Sequence, residues 1–203
     1  MYLPKHFVAT DHAMTLEVMR EYSFATLIAT GADGEPFATH LPVIVSDHAG
    51  AVTIHFHIAR ANPHGEMLAG HGKGLIAFVG PHGYQSPSIY TELNNVPSWN
   101  YLAVHAYGDI DEIVESHRKD ALLKSLIALH EPPYAQQWMG LDEKFQDSLL
   151  GAIRAFRMHV TKLESKFKLN QHRKHAHAAM KAQYAVGNAN EQALARWMER
   201  LGL

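Results

Sequence analysis

The stretch His57 to His64, HIARANPH, carries residue types at a spacing that suits anion binding. In the segment leading into it, Thr53, His55 and His57 alternate with Ile54, Phe56 and Ile58, so an extended chain has one polar and one apolar face. Arg60 follows with a fork of donors matched to a phosphate. Asn62 is an N-capping residue type and Pro63 suits a first helical position. The spacing therefore predicts a helix over 63–69 whose free N–H groups attract an anion. The plainer alternative is a surface arginine beside an ordinary strand-to-helix turn.

The chain has 203 residues, 47% hydrophobic and 19% charged, the balance of a globular protein able to bury a sizeable core. The expectation is one domain over 1–203, with 172–203 as a helical extension of it. No apolar run approaches the roughly 20 residues of a membrane span, and MYLPKHF at the start lacks a signal-peptide core. A cytoplasmic protein with no membrane partner is expected. With no cysteine, disulfides, thiolate metal sites and cysteine nucleophiles are excluded. A net charge of −2 exerts no global pull toward nucleic acid, although the 16 histidines would turn the balance positive below about pH 6.5.

The elements that must position the turn follow from periodicity. A short helix is expected over 11–22, capped by Thr10. Strands are expected over 24–30, 36–45 and 51–58, joined by the turn-forming GADGE and SDHAG, which implies an antiparallel meander. After the helix at 63–69, residues 74–79 read as a strand closed by Gly80-Pro81. Residues 99–114 read as a long strand with Gly108 as a bulge or bend, 116–129 as a helix stopped by Pro132-Pro133, 144–152 as a helix and 155–163 as a final strand. The tail is helical in pattern and breaks at Gly187-Asn188. Several strands with peripheral helices place the chain in the α+β class, as an antiparallel barrel whose closure would remove exposed edges.

Six blocks in order carry a more specific signal over nearly the whole chain. They are MYLPKHF, FATHLP (Phe37 to Pro42), HIARANPH, GPHGYQSPSIY (Gly80 to Tyr90), VPSWNY (Val96 to Tyr101) and KFKLNQHR (Lys166 to Arg173). Together they resemble the PaiB family, described as FMN-binding negative transcriptional regulators. The resemblance implies an antiparallel split β-barrel related to the pyridoxamine-phosphate oxidase group, a homodimer, and FMN at the dimer interface. Carried over, Thr39, His40 and Leu41 would lie under the isoalloxazine ring, and Arg60, Ala61 and Asn62 would take the phosphate. His57 would hydrogen-bond the flavin. Trp99, Asn100 and Tyr101 would offer an aromatic wall and an amide, and Lys168, Asn170 and Gln171 would reach the ring or phosphate from the last strand. The family usually carries Ser at the position of Asn170 and Asn at that of His172.

Each assignment has a structural alternative. Trp99 and Tyr101 are equally core or interface aromatics; His40, His55 and His57 could bond a flavin but are by default structural imidazoles; Ser86, Pro87, Ser88 and Tyr90 could line a substrate pocket, but a Pro-bearing loop is the plainer reading. His172, His175 and His177 cluster, but on a helix His177 turns away from the other two, and the spacing favours a solvated helix over a zinc site. Arg173, Lys174 and Lys181 could meet DNA phosphate, with no helix-turn-helix pattern beside them. The function expected from the resemblance is negative transcriptional regulation, with DNA as a partner. A flavin-dependent oxidoreductase using NAD(P)H and a non-catalytic flavin-binding protein are the alternatives. No catalytic side chain is assigned.

Overall fold

The computed structural model describes residues 1–70 and 72–203. Its strands are β1 (Phe24–Thr30), β2 (Pro36–Pro42), β3 (Ile44–His48), β4 (Ala51–Ala59), β5 (Gly72–Gln85), β6 (Ser98–Ile113) and β7 (Ile153–Lys168). Its helices are α1 (His12–Glu21), α2 (His64–Met67), α3 (Ser116–His130), α4 (Tyr134–Met139), α5 (Glu143–Gly151), α6 (His177–Ala185) and α7 (Ala189–Arg200). The strands form one antiparallel sheet in the order β2-β1-β5-β6-β7-β4-β3. Contacts divide the chain into two compact units, the first made of 1–22, 78–105 and 164–203 and the second of 23–77 and 106–163.

The second unit holds residues of all seven strands. Its two edge strands, β2 and β3, follow one another in the chain with only Val43 between them, so the sheet curls until its edges converge. They do not pair, which makes a split barrel of what the pattern alone suggested was closed. Pro42 removes a donor where β2 ends, and Val43 N–H turns instead to Ser23 O at 2.9 Å. The expected single strand over 36–45 is thus two strands, and the meander breaks there. β3 and β4 are joined through Ala49 and Gly50, both at positive φ (53° and 89°), the two-residue turn that matches strand twist. Inside, Ile54, Phe56 and Ile58 of β4 are buried, and Phe56 stacks on its cross-strand partner Phe156 with ring centroids 5.5 Å apart. Gly108 marks a close approach rather than a bulge: a Cβ there would lie 2.2 Å from His159 O of β7.

The first unit packs α1, α6 and α7 with the residues of β5, β6 and β7 that belong to it. Trp197, Tyr184, Phe78, Leu102 and Met19 are its large fully buried side chains. Asn188 and Glu191 form a reciprocal capping box at the start of α7, which accounts for the break seen at Gly187-Asn188. Asp11, not Thr10, caps α1, accepting from Met14 N at 3.0 Å; its carboxylate also faces the positive end of the helix. β5 runs through Gly80-Pro81 instead of stopping there. Its pairing with β1 covers only Leu75 to Ala77, so Pro81 has no N–H to supply on that side. The helix expected over 63–69 shrinks to the single turn α2. α4 was not foreseen, because Pro132-Pro133 read as a stop rather than as a new start.

Candidate functional site

The sequence-derived candidates fall into two groups, one in each unit. In the second unit, β4 delivers the chain into the 60–64 turn, and Asn62 fastens that turn twice. Its Oδ1 accepts from His64 N at 3.0 Å, the capping role expected of it, and its Nδ2 donates to Thr39 Oγ1 of β2 at 3.1 Å. Thr39 Oγ1 also meets His64 Nδ1 at 2.8 Å. The hydroxyl accepts from Asn62 and has both a proton and a second lone pair left for Nδ1, so this contact serves either tautomer of His64. Burial pushes the His64 imidazole below its ordinary value, partly opposed by the Phe37 backbone. The Phe37 ring meets it edge-on at 4.7 Å.

Arg60 departs from its expected use. Its Nε donates to Gly151 O and an Nη2 to Ile153 O at 3.5 Å, while its backbone N–H bonds Ala152 O at 2.8 Å. The guanidinium therefore sits on the carbonyls at the C-terminal end of α5, where partners are lacking and a cation is favoured. Its remaining Nη hydrogens have no partner among the described residues, and neither has the exposed N–H of Ala61. A positive charge and a free backbone donor thus stand side by side on an exposed turn. That donor set fits a phosphate.

The other second-unit candidates separate by the pleat of their strands. Leu41 is in the core and can offer only backbone; His40 points to the outer side of β2, where its Nδ1 meets Thr26 Oγ1 at 2.9 Å. His57 has a buried Nδ1 with no hydrogen-bond partner, and burial lowers its pKa. Sequence reasoning missed the residues that hold the turn from below. Arg154 of β7 grips Glu112 with Nε at 2.9 Å and Nη2 at 2.6 Å and reaches Glu66 of α2 with Nη1 at 2.7 Å. The guanidinium holds the Glu112 carboxyl below its usual range. His64 was visible as the last residue of its motif. Arg154 lies in no local pattern, and nothing in the sequence could have singled it out.

In the first unit Asn100 is fully buried on β6, donating Nδ2 to Gln85 Oε1 and Tyr184 Oη, each at 2.9 Å. Tyr90 Oη accepts from Gln85 Nε2 and, at 2.9 Å, from Asn170 Nδ2. Lys168 Nζ bonds Ser98 Oγ at 2.7 Å, and burial pushes its ammonium below the ordinary lysine value. All of these but Tyr184 line one cavity. Trp99 and Tyr101, alternating with Asn100, take the opposite face of the strand; Trp99 is half exposed beside His82 and Tyr84, and Lys166 lies over Tyr101. Gln171 turns back to close the end of β7 through Leu169 N and Phe167 O. Asn170 sits at φ 60°, a left-handed conformation that Asn tolerates. The three tail histidines go to different neighbours: His172 to His6 and Phe7, His175 to Tyr90, and buried His177 to Asn170 O at 3.0 Å. Arg173 stacks over Tyr90 at 4.8 Å.

A family model described as "Putative FMN-binding domain" matches residues 1–162. The chain belongs to this FMN-binding family. It is an FMN-binding split-barrel protein of the PaiB type, 34% identical over 178 residues to the protease synthase and sporulation protein PAI 2 of Bacillus subtilis, covering 85% of this chain and 83% of that one. An uncharacterized Saccharomyces cerevisiae protein is 29% identical over 130 residues, covering 53% of this chain and 76% of that one. Among solved structures, the flavocytochrome Anf3 of Azotobacter vinelandii superposes with a TM-score of 0.64 at 13% identity, over 83% of this chain and 73% of that one. An FAD and heme binding protein of Mycobacterium smegmatis does so at 0.59 and 16%, over 79% and 72%. At such identities these two show the fold alone. Within the FMN-binding family the barrel and the 60–64 turn lie inside the matched range, whereas α6, α7 and the 168–173 segment lie beyond it.

Proposed function

We propose that the second unit takes the FMN phosphate at the Arg60-Ala61 edge of the 60–64 turn, with β2 beside it. The observation that carries this is the donor set of that turn, cationic at Arg60 and open at the Ala61 N–H. The clasp from Thr39 to Asn62 and His64 holds it in place. Pre-fastening matters because a turn already ordered loses little freedom on binding. Thr39, His40 and Leu41 lie on the strand that would present backbone groups to the ring, and His57 lies two residues before the end of β4, the strand that enters the turn. FMN, when bound, supplies a group able to accept and pass on electrons. The chain's own residues bind and orient it.

The protein is read as a regulator whose flavin occupancy sets its activity toward DNA. The Bacillus relative is named a protease synthase and sporulation protein, and a role in regulation is inferred from that name. A homodimer in the cytoplasm is part of the same reading. It is supported by the half-exposed Trp99 and Tyr84 of the first unit, aromatics that a partner copy would cover. None of the described helices is long and apolar enough to cross a membrane. The deciding experiment titrates FMN into flavin-stripped protein, then measures retention of promoter DNA across salt concentrations with and without FMN. Saturable flavin binding together with flavin-dependent, salt-steep DNA retention supports the reading. Steady NAD(P)H consumption with no DNA retention would replace it with flavin-dependent oxidoreduction.

A further inference from the structure

We infer that the first-unit cavity between Tyr90, Asn100 and Lys168 binds a small hydroxycarboxylate, a ligand separate from FMN. The cavity encloses about 150 Å³. That is room for on the order of five waters at ~30 Å³ each, and it falls below the roughly 300–1,000 Å³ of pockets for drug-sized ligands. A three-ring flavin does not fit inside it.

Its chemistry is one-sided in charge. Lys168 and Arg173 line it, and no Asp or Glu does. Lys168 uses one ammonium hydrogen on Ser98 Oγ and has two left, and Arg173 keeps most of its fork after bonding Asn95 Oδ1 and stacking over Tyr90. Two cations with spare donors and no carboxylate in the cavity wall favour an anion, with Glu92 the acidic group within electrostatic reach of Arg173. A carboxylate fits between them, with Phe7 and Val96 as the apolar walls.

The neutral groups require something more specific than charge. Tyr90 Oη already accepts from Gln85 and Asn170, so both acceptor positions are filled and its own hydrogen remains to be donated. Asn100 is 1% exposed, and its Oδ1 has no partner, although its Nδ2 is fully used. Asn100 Oδ1 is closed off from solvent, whereas the Tyr90 hydroxyl hydrogen is left without an acceptor in the cavity wall. A hydroxyl on the ligand supplies that acceptor. Its carboxylate meets Lys168 and Arg173.

The test is calorimetric titration of the full chain with glycolate, acetate and inorganic phosphate, each in flavin-stripped and in FMN-saturated protein. Glycolate is expected to bind saturably with a dissociation constant of about 1 mM or tighter, equally well with and without FMN. Acetate, lacking the hydroxyl, is expected to bind at least about fivefold more weakly. Lys168→Met should weaken glycolate by about tenfold or more, and Lys168→Arg should restore most of it. Should Lys168→Met fail to fold, Tyr90→Phe reads the hydroxyl contact in its place. No saturable glycolate binding overturns the inference and leaves a water-filled cavity. Acetate binding as tightly as glycolate overturns the hydroxyl assignment, and phosphate binding in preference to both overturns the carboxylate. Loss of glycolate binding on FMN saturation overturns the separate site, assigning the cavity to the flavin envelope. Failure of FMN to bind at all, with glycolate binding intact, counts against the proposed function alone.

Discussion

Asn62 Nδ2 donates to Thr39 Oγ1 at 3.1 Å, and the same hydroxyl meets His64 Nδ1 at 2.8 Å. One strand hydroxyl thus fastens Asn62 and His64, the second half of a turn, with Asn62 lying 23 residues further along the chain. The free donors of Arg60 and Ala61 lie immediately before the clasped residues. Binding at this turn and folding of β2 are therefore coupled through Thr39.

Replacing Thr39 with Val keeps the shape and removes the hydroxyl. Asn62 Nδ2 and His64 Nδ1 then lose their shared partner in a half-buried place, at a cost of about 1–3 kcal/mol in unfolding free energy. Thr39→Val should also weaken FMN binding, whereas Thr39→Ser should leave both nearly unchanged. Denaturant melts and flavin titration on the same samples separate the two effects. Unchanged FMN affinity in a destabilised Thr39→Val protein would show that the turn does not hold the phosphate.

Arg60 is bonded at the end of α5 and, in the proposed function, also meets the phosphate. Arg60→Ala should weaken FMN by about 1.5–3 kcal/mol, the range of a charge-assisted contact. Loss of the α5 terminus contact should cost a further ~0.3–1 kcal/mol of stability. Titration of FMN at low and high salt reads the first term, and a thermal melt without flavin reads the second. A variant that melts early yet binds FMN normally assigns Arg60 to α5 alone.

Burial lowers the imidazoles of His57 and His64, and burial followed by Arg157 and Arg118 lowers that of His55. Unfolding returns them to about 6.5, so below that pH the unfolded chain binds more protons than the folded one. Stability must then fall as pH drops through about 6.5, and level off once the folded-state values are passed. Melting temperatures between about pH 7.5 and 5.5 should show this fall, and His64→Gln should make it shallower. A melting temperature that is flat or rises on acidification would contradict the assignment.

Gly108 and Gly151 form a matched pair for testing backbone approach. A Cβ at Gly108 would lie 2.2 Å from a backbone oxygen of β7, while at Gly151 it would meet nothing within 4 Å. Gly108→Ala should force β6 from β7 and cost about 3 kcal/mol or more, above the usual range for overpacking because no side chain can yield. Gly151→Ala should be neutral or stabilise by up to about 1 kcal/mol. Soluble yield and denaturant melts of the two variants decide this.

Local features were legible because they depend on neighbours in the chain. The alternation in Phe24 to Thr30 and in Ala51 to Ile58, the Asn62 cap and the Gly187-Asn188 break all follow from a few consecutive residues. The family, and with it the split barrel and FMN, was readable from ordered motifs. Even so, Pro81 was read as a stop, because a proline's effect depends on which strand lies beside it. β1 pairs with β5 only as far as Ala77, and that is a property of the sheet.

What only the tertiary structure decided is where each candidate's side chain spends its donors. Arg60 meets the end of α5, Arg154 joins Glu66 to Glu112, and Asn100 reaches Gln85 and Tyr184. Each contact closes a loop of chain whose ends carry no mark of one another. The sequence by itself determined the elements, the family and the residue types able to bind an anion. The fold determined that those residues divide between a turn clasped by Thr39 and a cavity beside Tyr90. The physical reason is that hydrogen bonds between distant residues follow from strand order and register, which the packing of the whole sheet sets.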